Sequence, residues 1–327
     1  MAKTHFFSKA ESKNKKSLIR FVKILFVLFE LIGLPKYKSK YSKRTFSSWQ
    51  LLALLVLRAK SRASVEDFIE QWLPCATELH KTLGLKQLPS ASCLRKFAKR
   101  LKAGWLHKAL AGCPAFLNSD SLVVGIDGTG NSKQRGSRHY YRRIGKRTTK
   151  KDFVKVVGLS DMKSQLLIAV KLRKKARHDN VDFKPCVNKA ARVVDIDIIL
   201  GDKGFDAQKN HTFAHKHKAL LITPLKNQDV PVWRTKGEDR KKLKRYFPKK
   251  KYNQRSKCET IFSVIKRKTG DFVTAVKFGM QKIELLCRFL AYNIDRLLIQ
   301  KKLRNPFKIS DELKINAIAE DIIQMTR

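Results

Sequence analysis

Acidic residues are what this chain has least of. Its 327 residues hold 27 Asp and Glu against 72 Lys and Arg, a formal net charge of +45. With 43% hydrophobic residues it can bury a core, which excludes a disordered polybasic tail. The six cysteines (Cys75, Cys93, Cys113, Cys186, Cys258 and Cys287) form no C-x-x-C pair. That removes support for a zinc ribbon or dithiol redox motif and points to free thiols in a reducing compartment. The apolar stretch Leu18–Leu34 is broken by Arg20, Lys23 and Glu30, and no small-residue cleavage site follows. It reads as a buried helix, not as a membrane span or signal peptide. H-E-x-x-H is missing, and so is any internal repeat.

What is abundant is positive charge. A surplus of this size makes a polyanion the default partner, bound through counterion release and therefore weakened steeply by salt. A membrane surface or a ribosome would satisfy the same composition. The few carboxylates have to separate these readings.

Length suggests about two domains. Residues 1 to about 17 are polar and rich in Lys and Ser, which suggests a basic arm. From 18 to about 112 the pattern is helical, with Ser47 and Ser64 as N-cap candidates. Ser90 opens a basic helix, Cys93 to about Lys108, whose Arg95, Lys96, Lys99, Arg100 and Lys102 suit either DNA or solvent. Near 119 the pattern changes. Strands are expected at Leu122–Asp127, Phe153–Leu159, Leu166–Leu172, Ile196–Leu200 and Ala219–Thr223. Helices are expected at Asn180–Val193, Ala207–Lys218, Tyr252–Lys268 and Met280–Lys302, while 227–251 shows no clear period. The first three strands should form an antiparallel meander. The order β-β-β-α-β-α-β-α describes a mixed sheet flanked by helices, an α+β/α/β class preceded by an all-α domain. The expected domains are a basic helical domain suited to binding DNA, 1–118, the sheet domain, 119–302, and a helical tail, 303–327.

Three acids stand out. Asp127 ends the apolar run Leu122–Ile126 within G-I-D-G-T-G, and Asp202 follows Ile196–Leu200 within G-D-K-G-F. Carboxylates at strand ends emerge from rigid backbone and suit metal ligation. Glu259 lies in the expected helix. At about 100° per residue, Tyr252, Arg255, Glu259 and Lys266 share one face about 60° wide, opposite Ile261, Val264 and Ile265. An i,i+4 ion pair on a solvated helix is the plainer account of Arg255 and Glu259. Asp206 reads as a helix cap and Asp161 as a turn residue.

The spacing Y-x2-R-x3-E-x6-K, here Tyr252, Arg255, Glu259 and Lys266, resembles the YREK motif of DDE transposases of the insertion-sequence-four type. Asp127 and Asp202 match that family's two Asp regions in order and setting, and the resemblance covers about 119 to 302. The large β-rich insertion of some members is replaced here by the basic stretch 227–251. The resemblance implies an RNase H-like catalytic domain in which Asp127, Asp202 and Glu259 hold two Mg2+ or Mn2+ ions, with Arg255 and Lys266 on phosphates and Tyr252 donating to one. It implies cleavage of transposon ends by water, then strand transfer by the freed 3′-hydroxyl. The partners would be double-stranded terminal repeats and target DNA, bound by a homodimer, in a prokaryotic cytoplasm at the nucleoid. It also suggests that Trp233 stacks on a flipped base, although a buried anchor accounts for the residue equally well.

Other features carry less. Arg135, Arg138, Arg142 and Arg143, with Tyr140 and Tyr141 among them and Lys146 and Arg147 after, suit a DNA groove or a solvated hairpin edge. His211, His215 and His217 read as a solvated helix face. Asp311, Glu312, Glu320 and Asp321 suit an amphipathic packing helix. The competing readings are an inactive DNA-binding relative acting as a regulator, an RNase H-like nuclease without strand transfer, and an RNA-binding scaffold. The last has no use for clustered acids and lacks the aromatic pattern of RNA-binding sheets.

Overall fold

A computed structural model of the chain describes residues 2–117, 121–133, 143, 145, 153–175 and 177–300, with side chains from Ser17 onward. The chain divides into two compact units, Met1–Asn118 with Ile283–Arg327, and Ser119–Lys282.

The described elements of the first unit are helices, including Ala2–Leu31, Ser48–Ser61, Ala91–Arg100 and Ala103–Gly112. Phe21, Val22, Leu25, Leu28 and Phe29 are fully buried, so the apolar stretch of the first helix is core. No helix among the described residues is long and apolar enough to cross a membrane. Ser47 caps its helix with a capping box closed by Gln50, and the Ser64 hydroxyl accepts from the Asp67 amide at 3.0 Å. Two expectations need correction. The segment read as a basic arm belongs to the Ala2–Leu31 helix. The basic helix expected to run to Lys108 stops at Arg100, because Leu101 and Lys102 take extended backbone angles before the next helix begins.

The second unit is built on one five-stranded sheet: β1 (Leu122–Ser132), β2 (Phe153–Asp161), β3 (Leu167–Arg173), β4 (Ile196–Gly201) and β5 (Leu220–Ile222), in the order β3-β2-β1-β4-β5. β1, β2 and β3 pair antiparallel, and β4 and β5 join parallel to β1. The sheet is mixed and flanked by helices, as the order of elements in the sequence implied. Alternation along β1 sends Val124 and Ile126 to one face, where they pack with Phe183, Cys186 and Val187 of the Phe183–Ala190 helix. Gly125 and Asp127 face the other side, which is covered by the Ser256–Thr269 helix.

Asp127 is not at a strand end. β1 continues through Gly128 and Gly130 to Ser132, held by β2 out to the Ser132–Phe153 pair. The segment 227–251, which shows no clear period in the sequence, contains the helix Glu238–Arg245 and a 3-10 turn, Val232–Arg234. The last helix spans Phe278–Ile299, and from Ile283 it belongs to the helical unit instead of the sheet unit.

Two glycines set how closely the Ser256–Thr269 helix approaches the sheet. A Cβ at Gly125 would overlap the Cys258 sulfur, and one at Gly158 would lie 2.8 Å from Phe262 Cζ. Lys257 Nζ adds a bond to the Met162 carbonyl at 2.8 Å. Gly158→Ala should therefore cost about 1–3 kcal/mol through overpacking. Urea denaturation would read this as a lower midpoint at unchanged m. An unchanged midpoint would show that the helix has room to retreat.

Candidate active site

Strand register brings the two aspartates together. Ile126 pairs with Gly201 on parallel neighbours, so Asp127 and Asp202 follow side by side where β1 and β4 run past that pair. The end of β4 turns into the 3-10 segment Lys203–Phe205, and the Asp202 carboxylate caps it by accepting from the Gly204 amide at 2.8 Å.

The Glu259 element is not one continuous helix. It comprises Lys249–Tyr252, a 3-10 turn Asn253–Arg255 lying against β1 and β4, and then Ser256–Thr269. The turn aims Arg255 across the sheet. Its guanidinium lies 3.5 Å from Asp127 Oδ1 and donates to Glu259 Oε1 at 2.9 Å. The pair with Glu259 is thus more than a solvated i,i+4 contact, because Arg255 is largely buried and also engages the strand. Its Nε–H is buried and has no hydrogen-bond partner among the described residues, which leaves a donor free for an anion.

Electrostatics follow the geometry. Burial lifts the Asp127 carboxyl to about 6; Arg255 and the Gly128 amide oppose that rise, and the nearby Asp202 and Glu259 charges add to it. Burial works against the Arg255 charge, but Asp127 and Glu259 more than offset it. The Tyr252 hydroxyl is raised by burial and again by Asp202, Glu259 and Asp127, so it lies within the field of all three acids. These carboxylates do not close into a ready ligand set. Among the described residues, no three His, Cys, Asp or Glu side chains are grouped to hold a metal ion. Arg255 stands between Asp127 and Glu259, and Asp202 turns to its own loop amide. The donors are all carboxylate oxygens, the chemistry a hard divalent cation takes.

A cleft of about 540 Å³ opens beside Asp127 and Glu259, and Lys266 lines it. Burial lowers the Lys266 ammonium, and Asp271 partly restores it. The sequence reading missed Thr129, Ser263, Arg267 and Asp271, which line the same cleft. Ser263 and Arg267 were findable, since they repeat at the helical period from Glu259. Asp271 gave no local signal. It reaches the cleft because its carbonyl accepts from the Ser132 amide at 2.9 Å and Val273 returns a bond to Ser132.

Other residues fall as follows. Trp233 is 72% exposed, with Arg234 over its ring at 4.6 Å, so it is not a buried anchor. Arg143 is exposed; Arg135, Arg138, Arg142, Tyr140, Tyr141, Lys146 and Arg147 lie outside the described residues, as do Asp311, Glu312, Glu320 and Asp321. The solvated-face reading of the histidines fails at His211 and holds for the exposed His215, while His217 is half-buried. His211 is buried, His215 bonds Asp239 at 2.7 Å and His217 bonds Asn188 at 3.0 Å. Asp161 holds its turn, accepting from the Ser164 amide at 2.7 Å.

Asp206 does not cap the Gln208–Lys216 helix, whose N-cap is Ala207. Fully buried, it accepts from Arg240 Nε at 2.7 Å, Arg240 Nη2 at 2.9 Å and the Lys226 amide at 2.8 Å. This ties the Trp233-bearing segment to the turn that follows Asp202.

With this geometry in hand, comparison with known proteins places the chain. The family model described as a transposase DDE domain matches residues 118–294, and the chain belongs to that family. Membership supports a transposase, a DNA-cleaving enzyme of DNA transposition. Among solved structures, the chain is similar to one described as a cryo-EM structure of a piggyBac transposase synaptic complex with hairpin DNA. The two are 10% identical, with a TM-score of 0.45 over 92% of this chain and 80% of the other. No curated protein matches.

Burial pushes the Asp206 carboxyl up, but His211, Arg240 and the Lys226 amide outweigh it and hold it at about 2, below its unfolded value. Its contribution, on the order of 2 kcal/mol, is therefore complete above about pH 4 and vanishes as pH falls through 2. Denaturation of wild type and Asp206→Asn across pH should show a gap that closes in that window. A gap that persists below pH 2 would assign the loss to packing alone.

Proposed function

We propose that this chain is a transposase of the insertion-sequence-four type that cuts the ends of its element and joins them to target DNA. The observation that carries this reading is that Asp127 and Glu259 share Arg255, with Asp202 beside Asp127 on the neighbouring strand, next to a cleft lined by Lys266. Those are the positions the YREK spacing and its two aspartate regions select.

Domains of this family generally work with divalent metal ions. Asp127, Asp202 and Glu259 would hold two Mg2+ or Mn2+ ions, which when bound supply charge stabilisation to the attacking and leaving oxygens of a phosphodiester. The protein's own groups do the rest. Arg255, with its unpartnered Nε–H, exchanges carboxylate contacts for a phosphate oxygen and so releases Asp127 and Glu259 for ligation. Lys266 offers a point charge from within the cleft, and the half-buried Tyr252 hydroxyl donates a hydrogen bond to a phosphate. The exposed Trp233 indole is available to stack on an unpaired base. The net charge of +45 supplies the field for double-stranded DNA, both terminal repeats and target, and Arg135, Arg138, Arg142 and Arg143, which follow the first aspartate in the sequence, add cations for DNA contact. Two ends must be paired for strand transfer, so the working form is a DNA-bound homodimer, acting at the nucleoid of a prokaryotic cytoplasm. A regulator without catalysis would have no need of all three acids.

Purified protein incubated with Mg2+ and the DNA flanking its own gene should cut at the element's ends and leave 3′-hydroxyls. Asp127→Asn, Asp202→Asn and Glu259→Gln should each abolish cutting while still binding the duplex. Parallel loss of binding would move these residues to a structural role. Lys266→Ala should lower turnover on the order of 10²-fold with affinity changed little; the reverse split would make it a binding residue only. Trp233→Ala should impair cleavage of duplex more than of substrate already unpaired at the cut, and equal rates on both would remove the stacking role.

A further inference from the structure

Outside the cleft, the most concentrated unassigned chemistry lies in the helical unit. Between the Ala2–Leu31 and Ser48–Ser61 helices the chain reads Lys36, Tyr37, Lys38, Ser39, Lys40, Tyr41, Ser42, Lys43, Arg44, with no acid among them. Lys36, Lys38, Lys40, Lys43 and Arg44 are exposed, and Tyr41 is 84% exposed. None of the five cations forms an ion pair among the described residues.

The loop is nonetheless anchored. At its base, Trp49 Nε1 donates to the Leu34 carbonyl at 2.6 Å and the Ser48 amide to the Lys36 carbonyl at 2.7 Å, while Lys36 Nζ sits 4.9 Å over the Trp49 ring. At its tip the Ser42 amide donates to the Ser39 carbonyl at 3.2 Å, and the Ser39 amide returns a bond to Ser42 Oγ at 3.1 Å. Two further cations rest on rings, Lys40 5.1 Å over Tyr41 and Arg44 5.9 Å over Tyr37. Five like charges carried within nine residues repel, and ring contacts only partly relieve that. A polyanion removes the repulsion. The loop also loses less conformational freedom on binding than an unanchored tail of the same charge. Its aromatic residues are tyrosines engaged by cations, and it presents no Leu, Phe or Trp to enter a bilayer.

We propose that the 36–44 loop is a second DNA-contacting element, in which Lys38, Lys40, Lys43 and Arg44 grip the phosphate backbone of a duplex and Tyr41 packs against it. The assignment rests on the DNA-transposing function proposed above. It adds an anchor independent of base sequence, carried by the helical unit and separate from the catalytic residues.

The test uses full-length protein carrying Asp127→Asn, so that binding is read without cleavage. Anisotropy titrations of a labelled 30-base-pair duplex at several salt concentrations give the slope of log affinity against log salt. Each phosphate that the protein no longer neutralises flattens that slope by about 0.9. Lys38→Gln/Lys40→Gln/Lys43→Gln/Arg44→Gln should flatten it by about 3 and weaken binding at least tenfold at about 0.1 M salt. A control, Lys174→Gln/Lys175→Gln/Lys209→Gln/Lys216→Gln, removes as much charge elsewhere and should change the slope by less than about 0.9. Equal flattening in both variants would overturn the proposal in favour of a diffuse field. So would an unchanged loop-variant slope, or a weakening confined to anionic phosphatidylglycerol vesicles or to an RNA hairpin. Absence of salt-dependent duplex binding by the Asp127→Asn parent would instead strike at the proposed function itself. Circular dichroism of both variants separates weakened DNA binding from unfolding, and Tyr41→Ala, which removes no charge, should weaken binding without changing the slope.

Discussion

Parallel pairing of β1 with β4 is the constraint on which the site hangs. With Ile126 opposite Gly201, Asp127 and Asp202 become neighbours on rigid backbone. A slip of one residue would send one of them to the opposite face, because side chains alternate along a strand. The third acid depends on this pairing at one remove. The Glu259 helix can lie against β1 and β2 only because Gly125 and Gly158 leave room for Cys258 and Phe262. Close approach of the helix then lets Arg255 reach both Asp127 and Glu259.

Charge is handled in two ways in the sheet unit. Asp206 is buried but fully satisfied, by Arg240 and a backbone amide, and its carboxyl is held near 2. Asp127 is mostly buried, has one cation at 3.5 Å, and its carboxyl is lifted to about 6. A carboxylate desolvated without full compensation is stored electrostatic free energy, and a divalent cation would release it. Arg255 partly compensates, with one N–H still unpartnered. Asp127 and Asp206 thus differ in how their charge is compensated, and Asp206 stands outside the cluster although only four positions separate it from Asp202.

Much of this was legible. The meander, the crossover strands and the three acids could be read because apolar alternation and the spacing of Arg255, Glu259 and Lys266 are local signals. The extension of β1 past Asp127 was not, because glycines in G-I-D-G-T-G look like a turn until a partner strand pairs with them. The Arg240 clamp on Asp206 spans 34 residues, and nothing local announces it. The burial of His211 and the arrival of Asp271 in the cleft are likewise products of chain return.

The order of residues alone sufficed to single out the candidate groups: acids sparse enough to be conspicuous, a helical period that groups one of them with two cations, and a charge that favours a polyanion. Those properties depend on composition and on neighbours a few positions apart. Which carboxylates meet, how closely the helix docks and where Arg255 lies between them depended on strand register and on steric room at two glycines. Both are set by pairings between residues distant in the chain, whose geometry exists only once the sheet has formed.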